Sequence, residues 1–123
     1  MHATHVLHNY LGKMCQAIHK TRLQATMIGV RALMHGKVLS VTGIGRAIQG
    51  TTFTKHAIKR ADRLIGNPAL HQDRQHLYRA LIHWLGGRLY RPVILVDWSD
   101  LTDDRQFHIL RASTPVGGRA LTF

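Results

Sequence analysis

The spacing of apolar residues predicts that the first two thirds of the chain are helical. Apolar positions recur every three or four residues, which is the spacing of one helix face. They predict five helices, at about residues 7–18, 21–35, 40–48, 54–65 and 68–85. The candidate N-caps are Thr21, Ser40 or Thr42, Thr52 or Thr54, and Asn67, which Pro68 follows at the first helical position. The glycines at 36, 50, 66 and 86–87 are the expected helix ends.

The last third of the chain changes to a pattern typical of strands. Short runs rich in β-branched residues predict strands at 92–97, about 106–112 and 119–123, with a turn at 115–118. The pattern as a whole therefore predicts an α+β fold in which the helices come first. Gly43 and Gly45 weaken the short third helix, since a glycine inside a helix costs about 1 kcal/mol relative to alanine. Packing must therefore stabilise that helix.

The run from Pro92 to Asp100 is the most informative segment. Its apolar residues predict a buried strand that ends at Asp97, where a stiff backbone would hold the carboxylate for Mg²⁺ or Mn²⁺. The alternative is an ordinary strand-end aspartate that forms a turn or caps a helix. The chain has no glutamate, and Asp100, Asp103 and Asp104 are expected in the polar turn that follows.

The charge of the chain favours a polyanionic partner. The 123 residues include 17 Lys and Arg against six acids, for a net charge of +11, and residues 1–66 hold ten of these cations and one acid. Nucleic acid is the expected partner, although a basic protein without a sequence-specific task has the same balance. Three features predict a cytoplasmic protein. The chain has a single cysteine, Cys15, it has no apolar run long enough for a membrane span, and its start is unlike a signal peptide.

The predicted helix at 54–65 combines an apolar side with a strongly basic one. Ile58, Ala61 and Leu64 or Ile65 mark the buried side. Candidate DNA contacts occupy the rest and the preceding segment: Arg46, Thr52, Thr54, Lys55, Lys59, Arg60 and Arg63. Two short helices of which the second is basic match a helix-turn-helix, and the two threonines could also donate to phosphate. An amphipathic helix with a solvated basic face is the alternative.

Three segments together resemble a known family. They are the helix Thr54–Asn67, the run Val93–Asp100, and the pair Leu110–Ser113 and Gly118–Thr122. From about Leu7 to Phe123 the chain resembles the N-terminal part of a DDE transposase from bacterial insertion sequences, in the IS-four branch that includes the Tn-ten and Tn-five enzymes.

The resemblance implies a division into a helical DNA-binding domain, residues 1–88, and the truncated start of a ribonuclease-H-like catalytic domain, residues 89–123. It makes Asp97 the first aspartate of the DDE triad, both catalytic and metal-binding. Family members cut DNA with a Mg²⁺-bound water and act as dimers on the terminal inverted repeats of the transposon.

The other two triad residues would lie beyond position 123. We therefore expect a transposase fragment that binds DNA at most, does not cleave it with Mg²⁺ and holds no metal tightly. Three alternatives stay open: a decayed reading frame, a stand-alone protein that occupies transposon ends and inhibits the full enzyme, and an enzyme completed by a separate chain.

Overall fold

A computed structural model describes residues 3–87 and 91–122 and confirms the α+β class. Five helices precede three strands: α1 Ala3–Met14, α2 Lys20–Gly36, α3 Val41–Ala47, α4 Thr54–Ile65, α5 Pro68–Gly86, β1 Leu95–Asp100, β2 His108–Val116 and β3 Arg119–Thr122. The chain forms two compact units, Met1–Leu77 and Tyr78–Phe123, which divide within α5. The predicted division between residues 88 and 89 lies outside the described residues.

Two of the predicted helix starts are confirmed by capping hydrogen bonds. The Ser40 hydroxyl accepts from the Gly43 N–H at 3.0 Å and so begins α3. The Asn67 side chain accepts from the Ala69 N–H at 2.9 Å at the start of α5. Both bonds satisfy backbone donors that lack a partner inside the helix.

Two other predicted caps are wrong. The N-cap of α2 is His19, whose ring Nδ1 accepts from the Thr21 N–H at 3.3 Å, so Thr21 is already helical. The N-cap of α4 is Phe53, which provides no side-chain hydrogen bond, and Thr54 is the first helical residue. An imidazole nitrogen can accept like a hydroxyl, whereas α4 begins without any side-chain cap.

The ends of the first two helices also differ from the prediction. α1 ends at Met14, so Ile18 lies in the connection to α2, where its side chain is nevertheless buried. α2 ends at Gly36, but the residue with left-handed backbone is the next one, Lys37, with a φ of 54°. The Lys37 N–H donates to the Leu33 carbonyl and closes the last turn.

The α3 helix lies directly on α4 because Gly45 has no side chain. A Cβ atom at this position would lie 2.4 Å from the Cα of Ile58, closer than real Cβ contacts. A small core of Ala32, Ile44 and Ala61 joins α2, α3 and α4 around this contact. Packing thus stabilises the glycine-containing third helix, as the sequence required.

A mostly buried ion pair joins α2 to α5. The Arg22 guanidinium donates to both carboxylate oxygens of Asp73, one bond measuring 3.2 Å from Nη2 to Oδ1. The side chain of Asp73 is 10% exposed and that of Arg22 23% exposed. Close by, the buried Cys15 thiol donates to the His76 carbonyl, and its pKa is raised by burial and by the Asp73 charge.

The three strands form an antiparallel sheet in the order β1-β2-β3. The β2–β3 turn is Gly117-Gly118, both with positive φ, so Pro115 belongs to β2 and not to the turn as predicted. The β1 strand begins at Leu95 instead of residue 92 and continues through Asp100, since its pairing with β2 starts opposite Ser113. None of the described helices is long and apolar enough to cross a membrane.

Candidate nucleic-acid interface and the Asp97 cluster

The α4 helix buries a narrow alanine side and exposes its cations. Ala57 and Ala61 are buried, and Ile58 and Leu64 are half-buried. Ile65, which the sequence offered as an alternative to Leu64 on the buried side, is 43% exposed. The four predicted cations are all exposed: Lys55, Lys59, Arg60 and Arg63.

The cations of α4 form a continuous basic face. Lys55, Lys59 and Arg63 follow one another at a spacing of four residues, which places them in one row along the helix. Arg60 lies beside this row, one position after Lys59. Within residues 3–87 and 91–122 none of the four forms an ion pair with a carboxylate. The four cations are therefore available to an external anion, while the exposed Asp62 on the same helix offsets one of their charges.

The first turn of α4 adds to this charge. Its N-cap residue Phe53 is 75% exposed and offers no side-chain acceptor, so the N–H groups of the first turn have no side-chain cap. Thr52 and Thr54 are exposed next to them. A helix N-terminus carries a partial positive charge, so this end of α4 can receive a phosphate oxygen.

Arg46 lies apart from the basic face of α4. It is exposed in the last turn of α3 and lines a shallow depression beside the end of α2 together with Gly36, Val38 and Thr42. No residue of α4 lines that depression. The structure thus brings four of the predicted contacts into one face and leaves Arg46 on another surface of the same unit.

Asp97 belongs to a polar cluster on the surface of the sheet. The Arg111 guanidinium donates to its carboxylate at 2.6 Å, and the Ser99 hydroxyl donates to the same oxygen at 3.0 Å. Arg111 also donates to the Ser99 hydroxyl at 2.9 Å. The hydrogen bond from Arg111, followed by that from Ser99, lowers the pKa of Asp97 below its ordinary value of 3.8.

The predicted location of Asp97 at the end of a buried strand is wrong. It is the third residue of β1, an edge strand, and its side chain is 57% exposed. The apolar residues before it are exposed as well, with Val93 and Ile94 each at 57%. The apolar run before Asp97 is therefore not buried, although Ser113 and Thr114 of β2 are.

The remaining acids of this part do not join Asp97. Asp100 is the last residue of β1 and not a turn residue as predicted, and it pairs with His108 at 2.9 Å and Arg105 at 3.4 Å. Because side chains alternate along a strand, Asp97 and Asp100 point to opposite faces. Asp103 and Asp104 lie in the turn, as expected. In the part of the chain that the structure describes, no three His, Cys, Asp or Glu side chains come together as a metal-binding group.

Three polar partners were missed at the sequence level. Arg111 and Ser99 bond to Asp97, and Asp73 pairs with Arg22. The spacing of Asp97 and Ser99 on one side of a strand was a usable signal. The positions of Arg111 and Asp73 depend on strand register and helix packing, which no local pattern records.

No family model, curated protein or solved structure matches this chain.

Proposed function

We propose that the chain is the N-terminal part of a DDE transposase of the insertion-sequence type, and that its helical unit binds the double-stranded DNA of transposon ends. The observation that carries this proposal is the unpaired basic face of α4, with its uncapped N-terminus. Unpaired cations on a solvent-facing helix gain binding free energy when they release counterions from phosphates. The proposal places this action in the bacterial cytoplasm, on the nucleoid.

The packing of α3 and α4 supports a helix-turn-helix arrangement. The two helices are joined by residues 48–53 and are in close contact at Gly45. In such motifs the second helix enters the major groove while the first crosses the backbone. We assign the major-groove role to α4, because its buried alanine side is narrow and its basic side is exposed.

We assign Asp97 to the first position of the DDE triad, at the start of a ribonuclease-H-like sheet. The antiparallel order of the three strands is compatible with this assignment. Nine large apolar residues between 93 and 110 are at least 40% exposed, as expected for a sheet that the rest of a catalytic domain would cover.

By itself the Asp97 cluster does not fit a two-metal site. Such a site requires several carboxylates around two ions, and the cluster of Asp97, Ser99 and Arg111 has a single carboxylate, one oxygen of which is bound by Arg111. In the family Mg²⁺ supplies an activated water and stabilises charge on phosphate. We propose that this chain binds DNA without cutting it, and that dimerisation and catalysis belong to the complete enzyme.

A stand-alone protein that occupies transposon ends is the second candidate. It is favoured by the buried apolar residues of the helical unit, which include Leu11, Leu23 and Met27. Such a protein would bind the same DNA and inhibit the full enzyme.

The test of DNA binding is fluorescence anisotropy with a labelled duplex in about 50 to 200 mM KCl. The Lys59→Ala/Arg63→Ala variant is expected to flatten the salt dependence, lowering the slope of log K against log salt by about 1.8, or 0.9 for each lost phosphate contact. The matched control is Lys13→Ala/Lys20→Ala, which removes the same charge from exposed positions outside α4 and should leave most of the slope intact. Equal effects of the two variants would contradict the proposal.

Two further experiments test end recognition and DNA cleavage. Tighter binding to a duplex that carries the terminal repeat than to a shuffled duplex indicates end recognition, whereas equal affinity indicates non-specific binding. The same duplex incubated with Mg²⁺ should remain uncut. A nick that the Asp97→Ala variant abolishes would overturn the proposal that this chain only binds.

A further inference from the structure

A second basic surface lies in the helical unit, away from α4. It is a depression of about 440 Å³, which we call the histidine pocket. Its lining residues come from α1, α2 and the α3–α4 connection: Thr4, His5, Arg31, Met34, His35 and Gln49. Three of the six are cationic or can become so, and none is acidic.

The hydrogen bonding of His35 fixes which ring nitrogen is left for a ligand. Its Nδ1 lies 3.0 Å from the Arg31 carbonyl oxygen. A carbonyl oxygen only accepts, so Nδ1 carries the hydrogen and donates. The remaining nitrogen, Nε2, becomes a second donor when the ring is protonated, and the ring then carries a positive charge.

Arg31 supplies a permanent charge to the same pocket. Its side chain is exposed and forms no ion pair within the described residues. A planar guanidinium binds phosphate oxygens in pairs. Gln49 adds an amide donor and His5 a second imidazole from α1. A guanidinium, two imidazoles and an amide without any carboxylate are chemically suited to an oxyanion.

We propose that the histidine pocket binds a phosphate group, and that this phosphate belongs to the DNA backbone. The proposal rests on the DNA-binding function proposed above and extends its footprint beyond α4. Every titratable or charged group that lines the pocket is a potential cation: His5 from α1, and Arg31 and His35 from α2.

The pocket is tested first without DNA, by NMR titration of the His5 and His35 ring signals with sodium sulfate against sodium chloride at matched ionic strength. Sulfate is used because it is a tetrahedral oxyanion that resembles a phosphate group. We expect a saturable shift of the ring signals with a millimolar midpoint, and weaker binding in Arg31→Gln. The absence of a saturable shift would overturn the proposal that the histidine pocket binds a phosphate group, whether or not the chain binds DNA.

The source of the phosphate is tested with DNA. Arg31→Gln should lower the salt slope of duplex binding by about 0.9, the value of one phosphate contact. The control, Arg74→Gln, removes an exposed arginine from α5 and should leave the slope unchanged. A sulfate shift combined with an unchanged slope in Arg31→Gln would overturn the assignment to DNA and identify a site for a free oxyanion. If the wild-type chain binds no duplex at all, the function proposed for α4 fails, and the sulfate titration alone decides the pocket.

Discussion

Replacing Gly45 with alanine should force α3 and α4 apart. The added Cβ would lie 2.4 Å from the Cα of Ile58 and 2.8 Å from its backbone nitrogen, whereas ordinary van der Waals contacts begin at 3.4 Å. Both atoms are backbone atoms, so no side-chain rotation relieves the overlap. The helices must separate by about 1 Å or bend, and the core of Ala32, Ile44 and Ala61 loses contacts.

The size of the effect follows from two opposing contributions. Overpacking costs about 1 to 3 kcal/mol, and a contact with backbone belongs at the upper end of that range. The alanine recovers about 1 kcal/mol of helix propensity. The net loss is about 2 kcal/mol, which corresponds to a fall in Tm of roughly 8 to 16 °C for a domain of this size.

Urea unfolding followed by circular dichroism measures this loss, and Gly12→Ala is the matched control. Gly12 lies inside α1, where a Cβ would meet only the tip of Leu23 at 4.0 Å. The control should therefore be stabilised by about 0.5 to 1 kcal/mol through propensity alone. If Gly45→Ala is as stable as Gly12→Ala, the close contact between α3 and α4 is refuted.

Two further predictions concern ion pairs. Asp73→Ala should destabilise the helical unit by about 2 to 3 kcal/mol in urea, because it leaves the Arg22 guanidinium mostly buried without a partner. The double variant Arg22→Met/Asp73→Leu should recover most of this loss, and no recovery would contradict the explanation. Arg111→Gln should raise the pKa of Asp97 toward 3.8 in an NMR titration of its carboxyl carbon. Because the folded-state pKa is the lower one, the pair stabilises the fold above roughly pH 4 and its contribution is lost as the pH falls further. An unchanged Asp97 pKa in Arg111→Gln would refute the role of that hydrogen bond.

The helical unit was largely predictable because its signals are local. Ser40 and Asn67 cap their helices through bonds to residues two or three positions away, and the spacing of four residues placed the α4 cations on one exposed face. The errors have local causes too. At His19 an imidazole takes the role usually given to a hydroxyl, and Phe53 begins α4 with no cap at all.

The sheet was less predictable because partners far along the chain define a strand. The apolar run from residue 92 predicted the start of a strand, but pairing with β2 begins only at Leu95. The same register places Arg111 opposite Asp97, 14 residues away in sequence. Burial could not be predicted either, since it requires a second layer over the sheet. An apolar run predicts that a strand prefers to be buried. It does not predict whether other parts of the protein cover that strand.

The two units support different parts of the proposed function, the helical unit DNA binding and the sheet the assignment of Asp97. The helical unit has buried apolar residues, and its α3 lies directly on α4 at Gly45. The sheet exposes its large apolar side chains on both faces, so the assignment of Asp97 depends on a covering layer. A failure of duplex binding would count directly against the DNA-binding role proposed for α4.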